Sequence, residues 1–147
     1  MNERQDSKLK ILRQTLRWSK KRNYKGYSKF DALNSNLLYD LSKNSKFLRR
    51  AFSYTFSRSP INLRPLFNVK KKYNCKGLAL FARSYFNLFK LYKNQSDLDE
   101  ALKLIYLILR YSQKQNFSGH CWGYDHPWEN GVFFAPSNYP NAIVTLA

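Results

Sequence analysis

Acidic residues are scarce in this 147-residue chain: nine Asp and Glu stand against 26 Lys and Arg, a formal net charge of +17 at pH 7. The imbalance is uneven. Residues 1–116 hold every Lys and Arg against seven acids, a net of +19, and residues 117–147 hold only Asp125 and Glu129, a net of −2. Cysteine is scarcer still. Cys75 and Cys121 lie far apart with no Cys-x-x-Cys pairing, which excludes a disulfide scaffold and suits free thiols in a reducing compartment. No apolar run approaches the ~20 residues that span a bilayer as a helix. The opening MNERQDSKLKIL lacks the apolar core of a signal peptide. These absences give a cytoplasmic expectation, in which the sequons at Asn94 and Asn116 carry no meaning. Missing too are GxGxxG, P-loop and GxSxG patterns, so neither a nucleotide cofactor nor a serine nucleophile has a motif to rest on, and no cofactor is expected.

What is present is helical periodicity. Leu9, Leu12 and Leu16 share one face of a first segment that is otherwise basic. Phe30, Leu33, Leu37, Leu38 and Leu41 follow the spacing of one amphipathic helix. A third helix is expected over about 46–56, closed by Ser59-Pro60 because proline disfavours helical geometry in the residue before it. Residues 60–75, with two prolines and a lysine run, read as a structured loop. Over 76–92 apolar residues cover most faces, which predicts an inner helix packed on several sides. Ser96-Asp97-Leu98-Asp99 reads as a capping-box-like start to a helix reaching about Gln113. A further helix is expected to begin in NAIVTLA. Alternation is scarce and nothing predicts a sheet. The expectation is an all-α chain of helical hairpins, one inner and one outer helix per pair, the unit of solenoids and α/α toroids.

Three stretches carry a resemblance: GYSKFDALNS (26–35), NLRPLFNVKKKYNCKGLALFARSY (62–85) and SGHCWGYDHPWENGVFFAPSNYPNAIVTLA (118–147). Together they resemble the first part of a family of bacterial and archaeal α/α-toroid proteins. That family is encoded among polysaccharide and surface-glycan biosynthesis genes, is often labelled delta-aminolevulinic acid dehydratase-like, and is similar in fold to the six-hairpin glycosidases. The sequence departs from the family's pattern at Ser28-Lys29 and at lysines 70–72. The resemblance implies a toroid that handles carbohydrate in surface-polysaccharide biosynthesis or modification. Because such proteins are longer, it also implies that residues 1–147 form one helical domain, the N-terminal portion of a longer toroid. The last residues, 141–147, fit this, being apolar and without a C-cap.

The richest chemistry lies in GHCWGYDHPWENGVFFAP, residues 119–136. Trp122, Tyr124 and Trp128 offer flat faces for sugar rings, and Asp125 and Glu129 can accept hydroxyl hydrogen bonds. The absence of Lys and Arg from this stretch favours a neutral or cationic ligand over a phosphate. The competing reading is that the aromatics only anchor the loop. Between the two tryptophans the expectation is a split: Trp122, beside Gly123, anchors, and Trp128, held out by Pro127, faces ligand. Asp125 and Glu129 are also the candidate catalytic pair, since glycoside hydrolysis uses two carboxylates ~5–9.5 Å apart. Whether the chain is an enzyme stays open at this level. Asp31 and Asn34 are candidate substrate-binding residues reaching the same cavity, and Arg64 joins them as a partner for one of the acids. His120, Cys121 and His126 are too few and too closely placed to make a zinc site, so no metal is expected.

The basic segment supports a different class of function. Residues 1–25 carry nine Lys and Arg against Glu3 and Asp6, and Lys70-Lys71-Lys72 adjoins Tyr73. Such a pattern suits weak, salt-sensitive contact with nucleic acid or an anionic membrane surface. A chain so rich in Lys, Asn, Ile, Tyr and Phe also fits an AT-rich coding sequence, so charge alone assigns no partner.

Overall fold

In a computed structural model, described over residues 3–113 and 117–146, the chain is mostly helical. The order is α1 (Glu3–Lys21), β1 (Lys25–Gly26), a 3-10 turn (Asp31–Asn34), α2 (Asn36–Ser42), α3 (Lys46–Arg58), β2 (Lys72–Tyr73), α4 (Cys75–Tyr92), α5 (Gln95–Arg110), β3 (Trp128–Glu129), β4 (Phe134–Ala135) and α6 (Ala142–Thr145). The sequon at Asn116 lies outside the described residues. No described helix is long and apolar enough to cross a membrane.

Two sub-cores organise these elements. In the first, α4 and α5 form an antiparallel hairpin and α1 lies against it. Leu16 packs with Leu78, Ala82, Tyr85 and Leu88 of α4 and with Ala101 and Leu104 of α5. The buried α4 positions fall at i, i+3 or i+4, so they form one stripe. The hairpin turns at Lys93, which takes the left-handed conformation (φ 54°) and closes α4 through its amide to the Phe89 carbonyl. Asn94 then caps α5 by accepting from Ser96 N. In the second sub-core Ala32, Leu38, Phe56 and Val69 meet, joining the 3-10 turn, α2, α3 and the 60–71 loop.

Four details differ from the sequence expectation. The helix expected through Phe30–Leu41 is interrupted: Ser35 ends the 3-10 turn and accepts from Leu38 N to start α2. The break rotates the following residues, and Leu37 and Leu41 point to solvent instead of the core. Helix α4 is not packed all round, since Leu80, Phe86 and Leu91 are exposed opposite its buried stripe. The α5 cap is Asn94 and not the Ser96 box: Asn94 Oδ1 accepts from both Ser96 N and Ser96 Oγ, and Asp99 accepts instead from Gln95 Nε2 (2.9 Å). Finally, two antiparallel ribbons exist, β1–β2 and β3–β4, each too short to leave an alternating pattern.

The 117–141 segment ties the sub-cores together. Towards the hairpin, Gln113 N donates to the Cys121 carbonyl (2.9 Å) and the Trp122 indole to the Ile108 carbonyl (2.8 Å). Towards the second sub-core, Arg49 Nε donates to Glu129 Oε2 (2.7 Å) and Lys46 Nζ to the Gly131 carbonyl (2.8 Å). Within the segment the backbone of 138–140 passes so close to Gly123 that a Cβ there would meet the Tyr139 carbonyl oxygen at 2.0 Å. A side chain at position 123 has no room.

Candidate functional site

A cleft of about 550 Å³ opens where the sub-cores and the tying segment meet. Its aromatic lining comes from three parts of the chain: Tyr24, Tyr27 and Phe30, then Phe81 of α4, and Tyr124 and Trp128 of the tying segment. Polar groups interrupt that lining at Ser28, Lys29, Lys72, Asn74, His126 and Asn141. Among the described residues no Asp or Glu lines this cleft. Concave sites of this size and mixture are the usual form of small-ligand pockets.

The two tryptophans sit differently. Trp122 is fixed at both ends: its amide donates to Thr145 Oγ1 (3.1 Å), its indole to Ile108, and its ring stacks on His120 at 6.1 Å between centroids. It does not line the cleft. Trp128 pairs with Ala135 in the β3–β4 ribbon and turns its half-buried ring to the cleft wall. Tyr124 also lines the cleft, tilted against His126 at 5.5 Å.

Asp125 and Glu129 are not brought together in the cleft. Glu129 is bound by Arg49 through both Nε and Nη2 (2.7 Å each), its side chain is buried, and it borders a separate smaller cavity. A carboxylate so held is a strut between α3 and the tying segment. Asp125 is buried behind the wall, where Oδ1 accepts from Ser28 Oγ (3.1 Å) and lies 3.1 Å from His126 Nδ1. Beside an accepting carboxylate oxygen, Nδ1 is the ring nitrogen that donates, and Nε2 has no hydrogen-bond partner among the described residues.

Asp31, Asn34 and Arg64 also stand behind the cleft instead of facing it. Arg64 Nε donates to Asp31 Oδ1 (2.7 Å), Asp31 Oδ2 accepts from Ser28 N (2.9 Å), and Arg64 Nη2 donates to the Ser28 carbonyl (2.8 Å). The buried pair therefore clamps both backbone groups of Ser28, a cleft residue. Asn34 Oδ1 accepts from Lys72 Nζ (2.7 Å), and its buried Nδ2 has no partner among the described residues.

Sequence reasoning missed His126 as anything but a metal candidate, although its place next to Asp125 was a usable signal. It also missed the lysines. The tying segment has none of its own, but Lys29 and Lys72 reach the cleft from other elements, so a preference for neutral or cationic ligands does not follow from the segment alone. Lys72 Nζ additionally donates to the Asp125 carbonyl oxygen (3.2 Å).

Other titratable groups nearby act in the framework. Burial pushes the Glu100 carboxyl up, but Lys20 and the Tyr24 hydroxyl (2.9 Å from Oε1) more than offset this and hold it below its ordinary value. Burial, with hydrogen bonds to Tyr85 and Glu100, pushes the Tyr24 phenol up. Burial, and secondarily the charge of Asp125, pushes the Cys75 thiol up to about 11, so it stays protonated and unreactive at neutral pH. Among the described residues no three His, Cys, Asp or Glu side chains gather as a metal site would require. No protein-family model, curated protein or solved structure matches this chain.

Proposed function

We propose that this chain is a carbohydrate-binding helical protein of the α/α-toroid type, acting on surface-polysaccharide intermediates, with the aromatic cleft as its sugar site. The observation that carries the reading is the lining of the cleft: flat rings from Trp128, Tyr124, Tyr27 and Phe81 alternate with hydroxyl, amide and imidazole groups. Sugar rings present apolar C–H faces and hydroxyl edges, so a binding site needs flat apolar surface beside fixed donors and acceptors. Ser28, Asn74, Asn141 and His126 supply the second requirement, and the Arg64–Asp31 clamp and the Asp125 contact pre-organise Ser28 and His126. The toroid part of the reading draws on the α4–α5 hairpin, whose outward Leu80, Leu91 and Tyr106 are the kind of surface that the next hairpin of such a ring covers.

Among the described residues no carboxylate lines the cleft, and the reading is of binding rather than glycoside hydrolysis. The experiment is an oligosaccharide panel titrated by isothermal calorimetry against wild type, Trp128→Ala and Trp122→Ala. Binding that Trp128→Ala abolishes and folded Trp122→Ala retains supports the cleft. No binding to any saccharide, or binding indifferent to Trp128, overturns it.

A further inference from the structure

We infer that the saccharide bound in the cleft carries an acidic group, a carboxylate or a phosphate, that is read by lysines at the cleft's edge. The inference rests on the carbohydrate reading above and narrows its ligand class.

Beside the cleft lies a second hollow of about 320 Å³, lined by Lys25, Lys71, Lys72, Tyr73, Tyr111, Asp125 and Asn138. Lys72 lines both spaces and forms the partition between them. The β1–β2 ribbon places these charges: Lys25 lies opposite Tyr73 and Gly26 opposite Lys72. Lys29, three residues on from Gly26, lines the cleft itself. Four lysines from two distant parts of the chain thus line two adjoining hollows that share Lys72.

Their present partners are weak or neutral. Among the described residues none of the four forms an ion pair with a carboxylate; the acids there pair instead with Arg13, Lys20, Arg49, Arg64, Lys103 and His126. Among the described residues Lys72 donates to the Asn34 amide oxygen and the Asp125 backbone carbonyl. Lys25 and Lys71 lie over the rings of Tyr73 (5.0 Å) and Tyr27 (5.3 Å), and Lys29 over Phe30 (5.5 Å). Such cation–π contacts at open sites are far weaker than charge-assisted hydrogen bonds. One carboxylate, Asp125, does face the hollow, but it is already engaged by Ser28 and His126 and balances at most one of the three lysines there.

A chain with a net charge of +17 necessarily leaves many lysines unpaired, and on a convex surface that means only solvation. Convergence on a concavity is different, because walls of one sign focus the field on whatever enters. An anionic group beside Lys72 would gain charge-assisted bonds while the attached ring lies against the aromatic wall of the cleft. A neutral sugar would use the wall alone.

The test is calorimetry on the full chain with five probes: a neutral cello-oligosaccharide, an oligogalacturonate of equal length, a hexose phosphate, inorganic phosphate and polyuridylate. The same set is run on the double variant Lys25→Gln/Lys71→Gln, whose exposed side chains hold no structural contact beyond a tyrosine face. The expected result is that an acidic sugar binds at least about tenfold more tightly than the neutral one, the value of one bond to a charged group. The double variant should erase that advantage and leave neutral-sugar binding intact. Whichever of oligogalacturonate and hexose phosphate binds better identifies the acidic group. Equal binding of neutral and acidic sugars, unchanged in the double variant, overturns this inference and leaves the carbohydrate reading standing. Tight binding of polyuridylate or of bare phosphate, with every sugar inert, overturns both.

Discussion

The back of the cleft and its rim treat charge in opposite ways. Behind the wall two carboxylates are each paired with an arginine: Arg64 holds Asp31 and Arg49 holds Glu129, each at 2.7 Å, with both carboxylates almost completely buried. At the rim Lys25, Lys29, Lys71 and Lys72 rest on rings or neutral oxygens. A buried charge is costly unless paired, whereas an exposed lysine is solvated and costs little. The difference teaches which groups to associate with which property. The pairs at the back set the shape of the site, and among the described residues the lysines at the rim pair with no carboxylate.

The sharpest way to break this contrast is Arg64→Ala. It strands the Asp31 carboxylate in a buried position, and losing one partner of such a pair costs about 3–5 kcal/mol. Urea unfolding should show a loss of that order, and Ser28 should lose its fixed position. A loss under about 1 kcal/mol would mean that the pair behaves like a surface ion pair.

The tryptophans come next. Trp122→Ala removes a ring with a satisfied indole hydrogen bond, and about 3 kcal/mol of stability should go with it. Trp128→Ala should cost clearly less, because part of that ring faces the open cleft. Equal losses in thermal melts would make both rings anchors.

A smaller effect is expected from acid. Glu100 is held below its ordinary value of 4.5, so its contribution is fully present above that pH and is lost as pH falls through it towards the folded value. Wild type should therefore destabilise more than Glu100→Gln between pH 6 and pH 3, measured by urea midpoints. Parallel curves for the two proteins would remove Glu100 from the account.

The smallest expected change is at the rim. Lys71→Gln should alter stability by no more than about 0.5 kcal/mol, as exposed substitutions usually do. A larger loss would assign Lys71 to the framework and erase the contrast between the rim and the back of the cleft.

How far could the sequence be read? Helices α1, α3, α4 and α5 were legible because apolar residues recur with helical period and because Ser59-Pro60 marks a stop. The break at Ser35 was not, since serine continues an apolar pattern as easily as it caps one. Each ribbon is two residues long and leaves no periodic trace. In the site, the aromatic character of residues 119–136 was evident, and Tyr124 and Trp128 do line the cleft. The partners of the acids were harder to foresee. Arg49 and Glu129 lie 80 residues apart, and Ser28 and Asp125 lie 97 apart. Nothing local in the chain announces such pairs, and so Asp125 and Glu129 looked available when both were already committed to the framework. Arg64 and Asp31 were within reach because one cation stood near a few candidate acids.

The central claim is that Trp128 is a ligand-facing ring. It is tested most directly in the variant Trp18→Phe/Trp122→Phe, which leaves Trp128 as the sole tryptophan. Titrated with an acidic oligosaccharide, its fluorescence should shift to the blue and saturate at the calorimetric Kd, because a sugar face displaces water from the ring. Saturable heat with an unchanged emission spectrum would contradict the account, because the ligand would then bind away from Trp128.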